Sequence, residues 1–109
     1  MNIFYLLGDK FMKLEYKRDQ IKDGGKTIAN IRRDKLCAGT GTTTLCNVKD
    51  DKVRKGTGTS TLCNVKNGDI RDGTGTSRKA KVKDIKKMIR GSDSLSDVFV
   101  AAVWQMFIR

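Results

Sequence analysis

The segment LCNVKDDKVRKGTGT, residues 45–59, returns seventeen residues later as LCNVKNGDIRDGTGT, residues 62–76. A more diverged copy, IANIRRDKLCAGTGT, occupies residues 28–42, again seventeen residues before the first. A fourth copy starts at Lys79 and then loses the pattern, and residues 16–24 fit the same core with a shorter connection. Self-similarity at a fixed short period indicates an array of identical supersecondary units, so this repeat decides the fold class.

Each repeat is predicted to fold as a β-hairpin. Its first strand is rich in β-branched and apolar residues, its turn is a polar pair such as Asn67-Gly68, and its second strand is short. Asn-Gly between two strands favours a type I′ turn. A lone hairpin of this size is unstable, whereas several that share a core are stable. We therefore predict an all-β protein with one C-terminal helix. Repeats with a period of 17 residues form either a radial or a stacked array. We predict the radial form, with about four to five β-hairpin repeats closing into a small flower-like or barrel-like ring, because a ring leaves few open edges.

The residues at equivalent positions in other copies indicate the role of each of the three cysteines. Cys46 and Cys63 stand where other copies carry Ala29 and Ala80. This position therefore requires a small apolar side chain, which predicts packing rather than sulfur chemistry. Cys37 stands where other copies carry arginine, which predicts a more exposed side chain. An odd number of cysteines favours free thiols in a reducing compartment, so a cytoplasmic location is expected.

The repeat also aligns the basic residues into two columns. The chain has 23 lysines and arginines against 12 acidic residues, a formal net charge of +11, which favours polyanionic partners. Residues at one repeat position lie on one face of a strand array. The alternative is that this face is basic for solubility and to prevent edge-to-edge aggregation. The first column contains Lys17, Arg32, Lys49, Lys66 and Lys83, and the second contains Lys22, Arg54 and Arg71. The candidate polyanion-binding residues are Arg32, Lys49, Lys66, Lys83, Arg54 and Arg71.

An asparagine precedes the last apolar residue of the first strand in three copies, at Asn30, Asn47 and Asn64, and the fourth copy has Lys81 there. Asparagine side chains readily hydrogen-bond to nearby backbone, so a structural role is favoured. Lining of a ligand groove is the alternative.

The residue types argue against an enzyme. Histidine is absent, which removes the imidazole base, the imidazole metal ligand and any triad that contains histidine. The Gly24–Thr27 segment resembles the end of a phosphate-binding loop, but Gln20 stands where that motif needs its first glycine. Carboxylate pairs such as Asp50-Asp51 lie in predicted turns, which are solvated. The sequence therefore predicts no catalytic residue, no cofactor and no metal site.

Both ends of the chain are apolar. The run Ile3–Leu7 is too short for a signal segment or a membrane span, and residues 6–11 fit a degenerate repeat. Near the other end, residues 94–97 match a capping box in its Asp form, and the segment 98–108 contains one polar residue, Gln105. A helix that is apolar on all sides must be buried. Three places could bury it: the hairpin body, an interface with a second copy, or a membrane surface.

These features divide the chain into a tandem β-hairpin domain, residues 1–91, and an apolar C-terminal helix, residues 92–109, that packs on it or in an oligomer interface. The candidate interface residues are Phe99, Val103, Trp104 and Phe107.

The units LCNVKDDKVRKGTGTST and LCNVKNGDIRDGTGTS resemble the tandem hairpins of the bacterial "beta-flower" families, which are four- or five-fold repeats of unknown function. The resemblance covers roughly residues 5–90 and implies hairpins arranged radially about a pseudo-symmetry axis. Those families usually have a small residue and then an aromatic one, where this chain has Cys-Asn or Ala-Asn. The resemblance implies no catalytic residue.

The leading functional hypothesis is a non-catalytic binding or scaffold module that self-associates through its C-terminal helix and presents a basic face to a protein or polyanion. The alternative is a nucleic-acid-binding protein that uses the same basic residues. Aromatic residues lie outside the basic columns, so such binding would contact the phosphate backbone and be largely independent of base sequence. A peripheral membrane protein is the third hypothesis.

Overall fold

The computed structural model describes residues 14–109, so the apolar run 3–7 and the degenerate repeat 6–11 lie outside the described part. Ten strands form one sheet in the order β10-β1-β2-β3-β4-β5-β6-β7-β8-β9. Neighbours from β1 to β9 are antiparallel, and β10 runs parallel to β1. The strands are β1 (Leu14–Lys17), β2 (Gln20–Asp23), β3 (Lys26–Arg32), β4 (Lys35–Ala38), β5 (Thr44–Lys49), β6 (Lys52–Lys55), β7 (Thr61–Lys66), β8 (Asp69–Asp72), β9 (Arg78–Lys81) and β10 (Ile89–Arg90).

Two-residue turns connect the strands of four hairpins, β1–β2, β3–β4, β5–β6 and β7–β8. At the β7–β8 turn, Asn67 and Gly68 have φ angles of 54° and 81°, as a type I′ turn requires. Arg33 and Asp50 open two of the other turns, with φ of 57° and 55°. The predicted hairpins are therefore confirmed, and the repeat period corresponds to one hairpin and its connection.

The asparagine column organises the connections between hairpins. The side chain of Asn47 donates from Nδ2 to the carbonyl oxygen of Gly56 at 2.7 Å and to that of Gly58 at 3.1 Å. These two glycines belong to the Gly-Thr-Gly-Thr loop that follows the hairpin, and Gly56 has a φ of 53°. The structural interpretation of this column is confirmed. The same pair of bonds joins Asn30 to Gly39 and Gly41, and Asn64 to Gly73 and Gly75.

The predicted closed ring is not formed by residues 14–109, because the sheet ends at β9 on one side and β10 on the other. In the fourth copy, the first strand leads into a short helix, α1 (Val82–Lys86), instead of a turn and a second strand. Val82 and Ile85 of α1 enter the core. The fifth hairpin is therefore not completed.

The C-terminal helix lies on the hairpin body, with its middle residues buried and both of its ends half-buried. Helix α2 (Asp97–Val103) continues into one turn with π-type hydrogen bonds, Trp104–Ile108. It contacts β5, β6 and β7, and residues 100–103 are 0% exposed. A single hydrophobic cluster joins these residues to Ile21 near one end of the sheet and Val82 near the other. The sheet therefore curves around the helix.

The start of this helix differs from the prediction. The N-cap residue is Ser96, whose Oγ accepts a hydrogen bond from the amide of Phe99 at 3.4 Å, whereas the capping-box pattern predicts Ser94. Ser94 belongs instead to a short 3-10 turn, and Leu95 is extended and 4% exposed. The Leu95 side chain belongs to the hydrophobic core, and the helix begins two residues later than the capping-box pattern predicts.

Cys46 and Cys63 are 0% exposed members of the core, which confirms their packing role. The prediction for Cys37 is wrong, because its side chain is only 1% exposed. Arg54 and Arg71 occupy the equivalent position, and their Nε atoms are also buried. At this repeat position the atoms close to the backbone are buried. A cysteine side chain ends within the buried region, whereas the longer arginine side chain extends beyond it.

Candidate polyanion-binding face

The face of the sheet opposite helix α2, here the outer face, carries most of the aligned basic residues. On β5, Cys46 and Val48 point into the core, so the alternate residues Asn47 and Lys49 point outward. Residues paired across antiparallel strands share a face. The strand register therefore shows which side chains line up on the outer face.

One row of residues crosses five consecutive strands. Lys49 of β5 pairs with Lys52 of β6, which pairs with Asn64 of β7, and the row continues through β8 to β9. Neighbouring strands are about 5 Å apart, so the row extends over about 19 Å. Four of its five members are basic. We call this set the central row: Lys49, Lys52, Asn64, Arg71 and Arg78.

Two shorter rows flank the central row, each two residues away along the strands. Two residues along a strand correspond to about 7 Å. The first row contains Arg32, Lys35, Asn47 and Arg54, and the third row contains Lys66, Asp69 and Lys81. The three rows together hold nine basic side chains and one carboxylate. Most of the excess positive charge in the chain is therefore on one face.

The structure places five of the six predicted polyanion-binding residues in these rows. The strand register combines residues of the two sequence columns in the same rows. Each row begins with a first-column residue, and two of the three rows also contain a second-column arginine. Lys83 is elsewhere, since it is an exposed residue of α1 and not of a strand. The five are Arg32, Lys49, Lys66, Arg54 and Arg71.

Sequence reasoning missed four basic residues of the rows, Lys35, Lys52, Arg78 and Lys81. Lys35 and Lys52 begin the second strands of their hairpins and face Arg32 and Lys49 directly across the two-residue turns. The sequence pattern that could have identified Lys35 and Lys52 is a basic residue three positions after each first-column residue. In the next repeat that position is Asp69, so a comparison of copies alone gives no basic column there.

Packing holds the arginine stems of this face in place. Arg32 donates from Nε to Oδ1 of Asn30 at 2.9 Å. The Nε atoms of Arg54 and Arg71 are buried without a hydrogen-bond acceptor among the described residues. A buried guanidinium stem has few rotamers, so its charged end occupies a restricted region of the surface.

Acidic residues neutralise little of this face. Asp69 is the one carboxylate in the three rows, and one of its oxygens lies 3.8 Å from Nη1 of Arg78. The Arg78 side chain in this pair is 55% exposed, and ion pairs of this kind contribute little free energy. The cations of the rows therefore remain available to an anionic partner.

The cysteine thiols lack the character of nucleophiles. Burial raises the pKa of Cys46 to about 12 and that of Cys63 to about 11. The thiolate, which is the reactive form, is therefore scarce at neutral pH in both cases. In the part of the chain that the structure covers, 14–109, no three His, Cys, Asp or Glu side chains are grouped to hold a metal ion.

Of the predicted interface residues, two lie inside the protein. Val103 is 0% exposed and Trp104 is 7% exposed, and the guanidinium of Arg109 lies 5.0 Å from the centre of the Trp104 ring. Phe99 and Phe107 are half-buried and so retain some surface. Self-association stays a prediction, with Phe99 and Phe107 as its accessible members.

No helix within residues 14–109 is long and apolar enough to cross a membrane. Comparison with known proteins finds no matching family, no matching curated protein and no matching solved structure. The resemblance to beta-flower repeats therefore stays a prediction.

Proposed function

We propose that the protein is a non-catalytic binding module that holds a polyanion, such as a nucleic acid, against its outer face. The observation that carries the proposal is the central row, which places four cations on five consecutive strands. Neighbouring cations in the row are about 5 Å apart, except that Asn64 separates Lys52 from Arg71, which are about 10 Å apart. A linear polyanion lying across the strands would meet several cations at once. Each neutralised phosphate releases counterions, which drives association.

The fold favours such a role because it fixes the row before any partner arrives. Two-residue turns and asparagine-bound loops set the position of each strand relative to the next. Because fewer groups have to be ordered on binding, the entropic cost is smaller and a larger part of the electrostatic attraction contributes to affinity.

The composition of the face indicates how the partner is recognised. The rows contain no aromatic residue, so they offer no surface on which bases stack. Lysine and arginine contacts to phosphates position a nucleic acid without reading its sequence. We therefore expect binding of mixed-sequence oligonucleotides and other linear polyanions with similar affinity.

The test is a fluorescence-anisotropy titration of a mixed-sequence single-stranded oligonucleotide, at low and at physiological salt. Four phosphate contacts predict a slope of about −3 for log affinity against log salt concentration. Absence of binding even at low salt would mean that the positive charge serves solubility, and the proposal would be abandoned.

The repeat provides a matched pair of variants for this test. Lys52→Asp and Lys55→Asp change the same strand by the same charge, and each introduces the residue that the next repeat carries at that position, Asp69 or Asp72. Lys52 belongs to the central row, whereas Lys55 pairs with the core residue Cys46 and lies outside the rows. We expect Lys52→Asp to lower affinity about tenfold and to reduce the salt slope by about 1. Equal losses in both variants would show that net charge, not the row, determines binding.

A second candidate is a scaffold that self-associates through its C-terminal segment, because five apolar residues there are only half-buried. They are Val98, Phe99, Met106, Phe107 and Ile108. Sedimentation velocity in high salt tests this candidate. A dimer that persists in high salt and dissociates in Phe107→Ser would support it, and a monomer at all concentrations would contradict it.

A further inference from the structure

A polar cleft lies at the β9 end of the open sheet, between the turn of the last hairpin and helix α1. Its volume is about 450 Å³, and its walls include Asn67, Lys81, Lys83 and Lys86. The amide of Val82 donates to the carbonyl oxygen of Gly68 at 2.8 Å and so fixes the helix against the turn. We call this the seam cleft. A space of this size admits a small organic ligand.

Positive charge is in excess in the seam cleft, which four cations and two carboxylates line. Both carboxylates form long ion pairs at its margins, Asp69 with Arg78 at 3.8 Å and Asp97 with Lys86 at 3.6 Å. These distances exceed those of charge-assisted hydrogen bonds, so neither pair is tight. The two remaining cations, Lys81 and Lys83, form no ion pair with any residue of 14–109.

The repeat shows why Lys81 matters. In the three preceding copies this position is an asparagine that donates to two carbonyls of the following loop. In the fourth copy α1 replaces that loop, so those two acceptors do not exist. The position instead carries a lysine that lines the cleft and finds no acceptor among the described residues. In the fourth copy a structural hydrogen-bond donor has thus been replaced by an unpaired cation, and the loop that accepted its hydrogen bonds is missing.

We propose that the seam cleft binds a phosphate monoester. Such a group carries a charge of about −1.5 to −2 at neutral pH, which matches the two unpaired ammonium groups. The cleft is larger than a phosphate, so it also admits a small organic part, for which Asn67 provides a polar contact. The seam cleft adjoins one end of the proposed polyanion face, since Arg78 of the central row and Lys81 of the third row also line the cleft. Lys49, Lys52 and Arg71 of the central row do not line it.

The experiment is a titration of the ¹⁵N-labelled full chain with ribose 5-phosphate, followed by heteronuclear NMR. We expect saturable amide shifts at Asn67, Gly68 and residues 81–86. The double variant Lys81→Asn/Lys83→Gln should lose at least about tenfold in affinity, the effect of removing one charge-assisted hydrogen bond or more. Lys81→Asn restores the residue of the other repeats, and a dispersed spectrum verifies folding. The matched control Lys87→Gln removes an exposed charge outside the cleft and should bind like the parent.

Two further arms identify the source of the phosphate. A 5′-phosphorylated oligonucleotide that binds better than its 5′-hydroxyl counterpart, with the difference lost in Lys81→Asn/Lys83→Gln, would assign the cleft to a nucleic-acid end. Saturable binding of ribose 5-phosphate without that difference would assign it to a free metabolite. Unchanged ribose 5-phosphate affinity in the double variant, or shifts centred on Lys49 and Lys52, would overturn the proposal. Lys52→Asp should leave ribose 5-phosphate binding intact, so a failure of the polyanion face and a failure of the cleft are distinguishable.

Discussion

Replacement of Asn47 by alanine should destabilise the protein by removing one of its loop-holding side chains. Asn47 is 8% exposed and donates two hydrogen bonds, to the carbonyls of Gly56 at 2.7 Å and Gly58 at 3.1 Å. A typical hydrogen bond contributes about 1 kcal/mol net, so Asn47→Ala should lower the free energy of unfolding by about 2 kcal/mol. For a domain of this size that corresponds to about 10 °C in Tm.

Asn47→Asp sharpens this prediction because it keeps the shape of the side chain and removes the donor. Its carboxylate would face two carbonyl oxygens, so this variant should be less stable than Asn47→Ala at pH 7 and should recover stability as the carboxylate protonates at acid pH. The assay is equilibrium urea unfolding, with m unchanged between variants. Thr57→Ala, at an exposed position of the same loop, is the control and should be neutral within about 0.5 kcal/mol. A loss below about 0.5 kcal/mol in Asn47→Ala, or equal stability of the Ala and Asp variants at pH 7, would refute the reasoning.

Three further predictions concern backbone, core and thiol. Gly91→Ala should destabilise the protein more than Gly24→Ala in urea unfolding, because both glycines have positive φ but a Cβ at Gly91 would lie 2.5 Å from the carbonyl oxygen of Tyr16; equal losses would contradict this. Trp104→Ala should lower stability by about 3 kcal/mol or more, independently of protein concentration, since the ring packs in its own chain; concentration-dependent unfolding would place it in an interface instead. Burial raises the pKa of Cys46 from 9.0 to about 12, so as the pH rises the thiol ionises in the unfolded chain before it ionises in the folded one. The free energy of unfolding therefore falls as the pH rises from 9 towards 12. Parallel urea titrations at pH 8 and 10 should therefore show Cys46→Ala gaining stability relative to the parent at the higher pH, and no relative gain would count against this pKa.

The repeat by itself was sufficient to predict the local structure. Strict recurrence of apolar, polar and turn residues identified the hairpins, since each local choice of turn and strand agrees with the others. Substitution between copies identified Cys46 as a packing residue, because alanine replaces it elsewhere and only size is common to both. The asparagine column could also be assigned, because asparagine readily bonds to nearby backbone.

The binding face was only partly predictable. The sequence located Lys49 and Arg71 in separate columns, but whether they share a row depends on the pairing of β5 through β8. That register includes a bulge at the β6–β7 pairing, which shifts the strands relative to each other. A one-residue shift moves a side chain to the opposite face, and a period alone does not determine it.

Sequence alone determined the kind of supersecondary unit and its period, because hairpin formation depends on residues close together in the chain. Only the tertiary structure decided that the sheet stays open, that helix α2 fills its interior, and that the seam cleft lies beside α1. In the fourth copy Val82 and Ile85 of α1 are buried in the core, and burial against residues distant in the chain leaves no periodic signal in the sequence. The burial of Cys37 was also visible only in the folded sheet, because arginine at the equivalent position of other copies had indicated an exposed side chain.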